Sequence, residues 1–373
     1  MKIISVVGAR PNFMKIAPFC AALKKHPGVQ HILVHTGQHY DVRMSDSFFV
    51  DLGIPEPDIH LNIGSGSHAE QVGRTMIEFE KVVKAEKPDW VVVVGDVNAT
   101  CACSIVAKKE HVKLAHIEAG LRSGDITMPE EVNRLVTDRL ADLLLTPDRI
   151  SNANLKAEGV ADGRIAFVGN IMIDTLEQQR ARAAALAPAE IMSRELLEPR
   201  ALPVLAENNF AVMTMHRPSN VDRIETLKPL IEFLIGEVAA EMPLLWPIHP
   251  RARKQLEAFG LWDEVKKNVI LLNPLGYHDM LRLNMGAKIM LTDSGGLQEE
   301  CCVLGTPCLT LRWNTERPVT LREHGGASML VGNDVAKIRA AYREVCGSAR
   351  TPQRPELWDG HTAGRIVGIM LNA

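Results

Sequence analysis

The sequence predicts an α/β protein built from two open, doubly wound parallel-sheet domains. Short apolar runs alternate with longer segments of helical period along almost the whole chain, the pattern of parallel strands covered by helices on both faces. At 373 residues the chain is longer than one hydrophobic core normally serves, so two domains are expected. The stretch from Gln178 to Asn209, rich in Ala, Arg and Glu and carrying Pro188, Pro199 and Pro203, separates two blocks that each restart with a strand. The domain boundary belongs near it.

In the first block the expected strands are Ile3 to Val7, Ile32 to His35, Trp90 to Val94, Leu114 to Ile117, Leu143 to Thr146 and Ile165 to Val168. The clearest helix runs from His68 to Glu86, where Val72, Met76, Phe79 and Val83 recur at spacings of three and four and share one face. Lys87-Pro88-Asp89 stops it. The second block places strands at Phe210 to Thr214, Leu244 to Ile248, Val269 to Leu272, Ile289 to Thr292 and Pro307 to Thr310, with helices beginning near Arg223, Tyr277 and Gly296. Two such sheets are expected to frame a ligand cleft, because loops at the carboxyl ends of parallel strands carry binding groups.

Composition excludes several function classes. Lys and Arg total 42 against 45 Asp and Glu, so there is no basic field to hold a nucleic acid. Apolar residues at 46% and charged residues at 23% fit a globular chain rather than a disordered one. The seven cysteines form no C-x-x-C pair and read as small buried hydrophobes. The opening apolar run meets Arg10 and Lys15 too soon for a signal peptide, and no stretch approaches a membrane span, so a cytoplasmic protein without a membrane partner is expected. Thirteen histidines include no H-E-x-x-H, and no metal is expected.

Several strand-end segments could carry chemistry. Gly8-Ala9-Arg10-Pro11-Asn12-Phe13-Met14-Lys15 follows the first strand and opens a helix, where the helix N-terminus with Arg10 and Lys15 favours an anion. It is not G-x-G-x-x-G, and an ordinary βα turn with solvated cations is the alternative. Asp293-Ser294-Gly295-Gly296-Leu297-Gln298-Glu299-Glu300 could offer backbone N–H groups to a phosphate and a carboxylate to ribose hydroxyls; the alternative is a plain Ser cap with Gly packing. Met215-His216-Arg217-Pro218 puts an imidazole and a guanidinium at a strand end, which suits a departing diphosphate. Arg312, in the polar loop Leu311 to Pro318, could add a further cation.

Three carboxylates complete the set. Asp96 ends a strand of four valines, Glu118 ends the strand of His116-Ile117, and Glu130 follows Pro129 before the helix bearing Arg134. A strand-end acid inside a cleft is placed for proton transfer, although each alone could be a cap or a salt bridge. There is no G-x-S-x-G elbow and no cysteine with a nucleophile signature.

Taken as an ordered set, these segments resemble the non-hydrolysing UDP-N-acetylglucosamine 2-epimerase family. The resemblance runs through Gly8-Ala9-Arg10-Pro11, Thr36-Gly37-Gln38-His39, Gly95-Asp96, His116 to Arg122, Pro129 to Arg134, Val168-Gly169-Asn170, His216-Arg217, Asp293 to Glu300 and Thr315-Glu316-Arg317-Pro318. It implies the GT-B architecture of two Rossmann-like domains, here 1–175 and 176–359, with a C-terminal helix within 360–373 that crosses back onto the first. It also implies interconversion of UDP-GlcNAc and UDP-ManNAc by elimination of UDP to 2-acetamidoglucal and re-addition, with no cofactor, in a homodimer. Carried over by position, Asp96, Glu118 and Glu130 match the family's catalytic carboxylates and His216 its histidine. Arg10, Ser294, Gly295 and Gly296 would hold the diphosphate, and Glu300 the ribose, with Glu299 as competitor. Lys15, Arg134 and Arg312 would complete the electrostatic frame.

The sequence departs from the family at three places. Asn12-Phe13 stands where many members have Glu-Ala, and Pro218-Ser219 where many have Arg-Glu, so a 2,3-diacetamido uronic acid sugar on UDP is an alternative substrate. After Gln38-His39, Tyr40 to Arg43 differ from the common Arg-Glu-Met-Leu, so activation by a second UDP-GlcNAc is not carried over. Rival functions are a glycosyltransferase, which needs at most one such base, and a catalytically silent sugar-nucleotide sensor.

Overall fold

The structure, a computed structural model, describes residues 1–37 and 52–373, with the side chains of residues 10 and 11 outside the description. The chain divides into two compact units, Met1–Gln178 with Pro355–Ala373, and Gln179–Arg354. The division falls inside a helix, Ile171–Ala184, rather than in an irregular linker. The proline-rich stretch after it carries a second helix, Pro188–Glu195, started by the proline at its first position.

Unit 1 is a parallel sheet of seven strands in the order β3-β2-β1-β4-β5-β6-β7. Its strands are β1 Lys2–Val7, β2 Gln30–His35, β3 Ile59–His60, β4 Trp90–Val94, β5 Lys113–Ile117, β6 Leu143–Thr146 and β7 Ile165–Phe167. All of β4 is buried, as a central strand covered on both faces requires. The helices that matter for the site are α1 (Arg10–Leu23), α2 (His68–Glu86), α3 (Asn98–Lys109) and α4 (Pro129–Leu140). In α2 the buried face is Thr75, Phe79 and Val83, with Val72 and Met76 only half-buried beside it. Ser67 caps α2 by accepting from the Glu70 N–H, and the Glu70 side chain answers the Ser67 N–H at 2.9 Å.

The last helix of the chain, Thr362–Leu371, belongs to unit 1 and packs on α1. Asp174 fixes its start, accepting from the N–H groups of Thr362 at 3.0 Å and Ala363 at 2.7 Å. Trp358 anchors the approach to it, donating from Nε1 to the Pro147 carbonyl at 2.9 Å.

Unit 2 is a parallel sheet of six strands in the order β10-β9-β8-β11-β12-β13. They are β8 Ala211–Thr214, β9 Leu244–Pro247, β10 Ile270–Leu272, β11 Ile289–Thr292, β12 Cys308–Thr310 and β13 Ser328–Leu330. Its largest core cluster runs from Met213 and Trp246 to Leu309 and Tyr342. Six of the seven cysteines are buried and Cys346 is half-buried; all are free thiols.

In each unit the strand order reverses beside the first strand, between β1 and β4 and between β8 and β11. The loops leaving these paired strands at their carboxyl ends diverge to opposite sides, which opens a crevice there in this fold class. Lys15 and Asp96 follow β1 and β4, and His216 and Ser294 follow β8 and β11, with Glu118 one strand over at the end of β5.

Candidate active site

In unit 1 the site begins with register. Val94 pairs with Ile117, so Gly95 and Glu118 leave adjacent strands side by side, and the Gly95 N–H donates to the Ile117 carbonyl at 3.1 Å. Gly95 has φ +68°, and a Cβ there would stand 3.1 Å from Lys15 Nζ and 3.3 Å from Glu118 Oε2, so glycine serves both the turn and the close approach. Glu118 itself has φ +75°, a left-handed conformation unusual for glutamate that the surrounding bonds must enforce. Its carboxylate pairs with the Lys15 ammonium, and both groups are buried.

Asp96 is half-buried and pairs with Arg134 of α4. The same guanidinium meets Glu131, at 2.9 Å from Nε and 2.7 Å from Nη2. Burial raises the Glu131 carboxyl, but the Ser123 N–H and Arg134, with the Gly124 N–H, outweigh it and hold the carboxyl below its ordinary value. Glu131 is thus a structural anion that aims Arg134 at Asp96. The Asp96 carbonyl accepts from Asn133 at 2.9 Å, which fixes its backbone as well. Glu130, the neighbouring candidate, lies on the exposed first turn of α4, outside this network.

Asn12 holds the turn after β1. Its Oδ1 accepts from the N–H groups of Gly8 at 3.2 Å and Ala9 at 3.3 Å, and its Nδ2 donates to the Val94 carbonyl at 2.9 Å. It therefore stitches β1 to β4 at the reversal. Arg10 opens α1, but its side chain, like the segment carrying Gln38 and His39, lies outside the described residues.

In unit 2, Thr214 and Thr292 are register partners with hydroxyls 2.7 Å apart, which brings the loop after β8 onto the end of β11. His216 Nδ1 lies 2.8 Å from Asp293 Oδ1. Asp293 Oδ2 accepts from the N–H groups of His216 at 2.9 Å and Arg217 at 2.8 Å. Burial pushes Asp293 up, yet the His216 ring and these N–H groups overcome it and keep the carboxyl below its ordinary value. Nδ1 faces the Asp293 carboxylate, so Nε2 is the ring atom left for a ligand.

Ser294 precedes the helix α5 (Gly295–Leu304), and its hydroxyl makes no capping bond, so the first-turn N–H groups keep their capacity for an anion. Beneath that turn lies a buried chain of charges, Arg312 to Glu316 at 2.6 Å, Glu316 to Arg317, and Arg317 to Glu299 at 2.8 Å. A Cβ on Gly295 would stand 2.6 Å from Arg317 Nη1 and 2.7 Å from Glu316 Oε1. The two acidic candidates of the helix therefore part: Glu299 is committed to Arg317, while Glu300 faces Tyr277 and Asn284. Burial pushes the Glu300 carboxyl up to about 7, against the opposing pull of those two polar side chains. Arg312 braces the loop through Glu316.

Sequence reasoning left Asp293, Glu131 and Glu316 without roles. Asp293 carried a usable signal, an acid at the end of a strand in the segment that also supplies the helix cap. Glu131 and Glu316 carried none, because their partners follow from packing. Among the described residues no group of three or more His, Cys, Asp or Glu could hold a metal ion, and no helix is long and apolar enough to cross a membrane.

A model of the UDP-N-acetylglucosamine 2-epimerase family matches residues 21–371. The UDP-N-acetylglucosamine 2-epimerase of Methanocaldococcus jannaschii is 41% identical over 374 residues, covering 99% of each chain. The crystal structure of the UDP-GlcNAc 2-epimerase of that organism, in complex with UDP-GlcNAc and UDP, is similar with a TM-score of 0.90 at 39% identity over 100% of both chains. The UDP-2,3-diacetamido-2,3-dideoxy-D-glucuronate 2-epimerase of Pseudomonas aeruginosa is 39% identical over 355 residues, covering 94% of this chain and 92% of its own. With two parallel-sheet α/β units, strand-end acids in one and a histidine–aspartate pair beside a helix N-terminus in the other, the chain belongs to the UDP-N-acetylglucosamine 2-epimerase family.

Proposed function

We propose that the protein interconverts UDP-GlcNAc and UDP-ManNAc by inverting C2 of the sugar. That proton is not adjacent to a carbonyl, so removing it must be coupled to departure of the group on C1. One carboxylate takes the C2 proton, the C–H electrons form the C1–C2 double bond, and the C1–O bond breaks to release UDP and 2-acetamidoglucal. Return of a proton to the opposite face of C2 and re-addition of UDP complete the inversion, with no net oxidation.

The observation that carries this reading is the pairing of Asp96 with Arg134 and of Glu118 with Lys15 at adjacent strand ends flanking Gly95. Inversion needs proton traffic on two faces, and two separately held carboxylates suit it. Glu130, exposed on α4, is the third acid for the same chemistry. In unit 2, His216, oriented by Asp293, would stabilise the departing diphosphate, whose phosphates Ser294, Gly295, Gly296 and Arg10 would bind. Glu300 would accept from ribose hydroxyls. Lys15 and Arg134 would orient the acids, and Arg312 would brace the phosphate-binding turn.

The test is proton NMR of the purified protein with UDP-GlcNAc in D2O and no added cofactor. UDP-ManNAc bearing deuterium at C2 is the expected product. Turnover of UDP-2,3-diacetamido-2,3-dideoxy-D-glucuronate alone would keep the elimination and change the sugar, an outcome that the Pseudomonas aeruginosa relative makes worth testing. UDP binding without C2 exchange in either sugar would sink the proposal.

A further inference from the structure

His116 is fully buried on β5, two residues before Glu118. Its Nδ1 lies 2.6 Å from Asp138 Oδ1 on α4, and its Nε2 lies 2.8 Å from the Gly95 carbonyl oxygen. A carbonyl oxygen only accepts, so Nε2 must carry a hydrogen. At Nδ1 the question is whether Asp138 is ionised. Its second oxygen accepts from the Gly120 N–H at 3.0 Å and from Arg122 Nη1 at 2.7 Å, and both donors favour the carboxylate. A carboxylate also only accepts, so Nδ1 carries a hydrogen too.

We propose that His116 is a buried imidazolium and a positioning residue, fixing the Gly95–Asp96 peptide and with it the Asp96 carboxylate for proton transfer at C2. The positioning half rests on the reaction proposed above; the charge state does not. The charged groups around the ring come from every neighbouring element: Asp138 on α4, Arg122 from the loop after β5 with Glu158 behind it, and the Glu118–Lys15 pair at the strand end. A neutral imidazole has one N–H and would leave either Asp138 or Gly95 without its donor. Asp96 is then clamped from three sides: His116 holds the preceding carbonyl, Asn133 its own carbonyl, and Arg134 its carboxylate.

The charge state is read by nitrogen NMR of 15N-histidine-labelled protein, with the His116 signals assigned by their loss in His116→Gln. Both ring nitrogens should report N–H in the folded protein near neutral pH. One unprotonated ring nitrogen there would overturn the charge state. The positioning role is read by His116→Phe, which keeps a ring on β5 and removes the N–H that the Gly95 carbonyl accepts. Its kcat should fall about 100-fold, with KM and UDP affinity little changed. Wild-type kcat in that variant would overturn the role. If His116→Phe fails to fold, His116→Leu serves, with the same loss in kcat and unchanged UDP affinity expected; wild-type kcat there would likewise overturn it. Wild-type protein inert towards UDP-sugars would sink the proposed reaction and leave the nitrogen readout intact, whereas a neutral His116 in an active enzyme sinks this inference alone.

Discussion

His216 Nδ1 lies 2.8 Å from Oδ1 of Asp293, and the other oxygen of that carboxylate accepts from the backbone N–H of His216 itself. One buried acid therefore fixes both the ring and the peptide that carries it. Asp293→Asn should lower kcat about 100-fold while changing UDP affinity little, because an amide can turn its NH2 towards Nδ1 and leave the imidazole in the wrong tautomer. Steady-state kinetics beside UDP titration calorimetry check this; an equal loss of UDP binding would make the pair a binding element instead.

Asp96→Asn and Glu118→Gln remove charge and keep shape. Each should lose turnover by about 1000-fold, within the span assigned to acid–base groups, and still bind UDP. C2 deuterium exchange reports the first quantity and calorimetry the second. Loss of UDP binding in step with turnover would make these acids structural.

Gly295→Ala places a methyl group where Arg317 and Glu316 already stand, 2.6 and 2.7 Å away. The buried charges must shift, and the first turn of α5 shifts with them. A stability loss of about 1–3 kcal/mol is expected, with UDP binding weakened about tenfold. Denaturant melts and UDP titration measure the two effects.

Glu300 gives a pH-dependent stability. Its folded-state value of about 7 lies above the ordinary carboxyl value of 4.5, so the folded protein holds more of this proton between those limits. Stability contributed by the neutral acid is therefore present at low pH and lost as pH rises towards 7, by about 3 kcal/mol at most. Glu300→Gln removes that dependence. The melting temperature of the variant should gain on the wild type between about pH 5 and about pH 8; parallel curves would show that Glu300 ionises freely.

Most of the secondary structure was legible because its signals are local. Trp90–Val94, Leu143–Thr146, Ile289–Thr292 and the helix His68–Glu86 lie where apolar period and turn residues place them. Two strands were missed, Ile59–His60 and Ser328–Leu330, both short and at sheet edges, where two or three residues carry no period to read. The stretch from Gln178 to Asn209 reads as the neighbourhood of a domain boundary, and within it Pro188 starts a helix, because proline at a first helical position gives up no hydrogen bond.

The candidate site was legible as residue types at strand ends and not as a wiring diagram. Lys15 and Arg134 read as cations for a ligand, whereas the structure pairs them with Glu118 and Asp96. Arg312 read as a ligand cation and is held by Glu316. Glu299 and Glu300 could not be separated in sequence; burial of Arg317 beside one and of Tyr277 beside the other separates them.

By itself the sequence determined the alternation of strands and helices, the two-block organisation, the strand-end candidates and the family they resemble, since these depend on neighbours a few residues apart. Only the tertiary structure decided which charge answers which. Lys15 and Glu118 are 103 residues apart, and His216 and Asp293 are 77 apart. Such partners are chosen by strand order and register, and a buried charge is stable only beside the counter-charge that this geometry delivers.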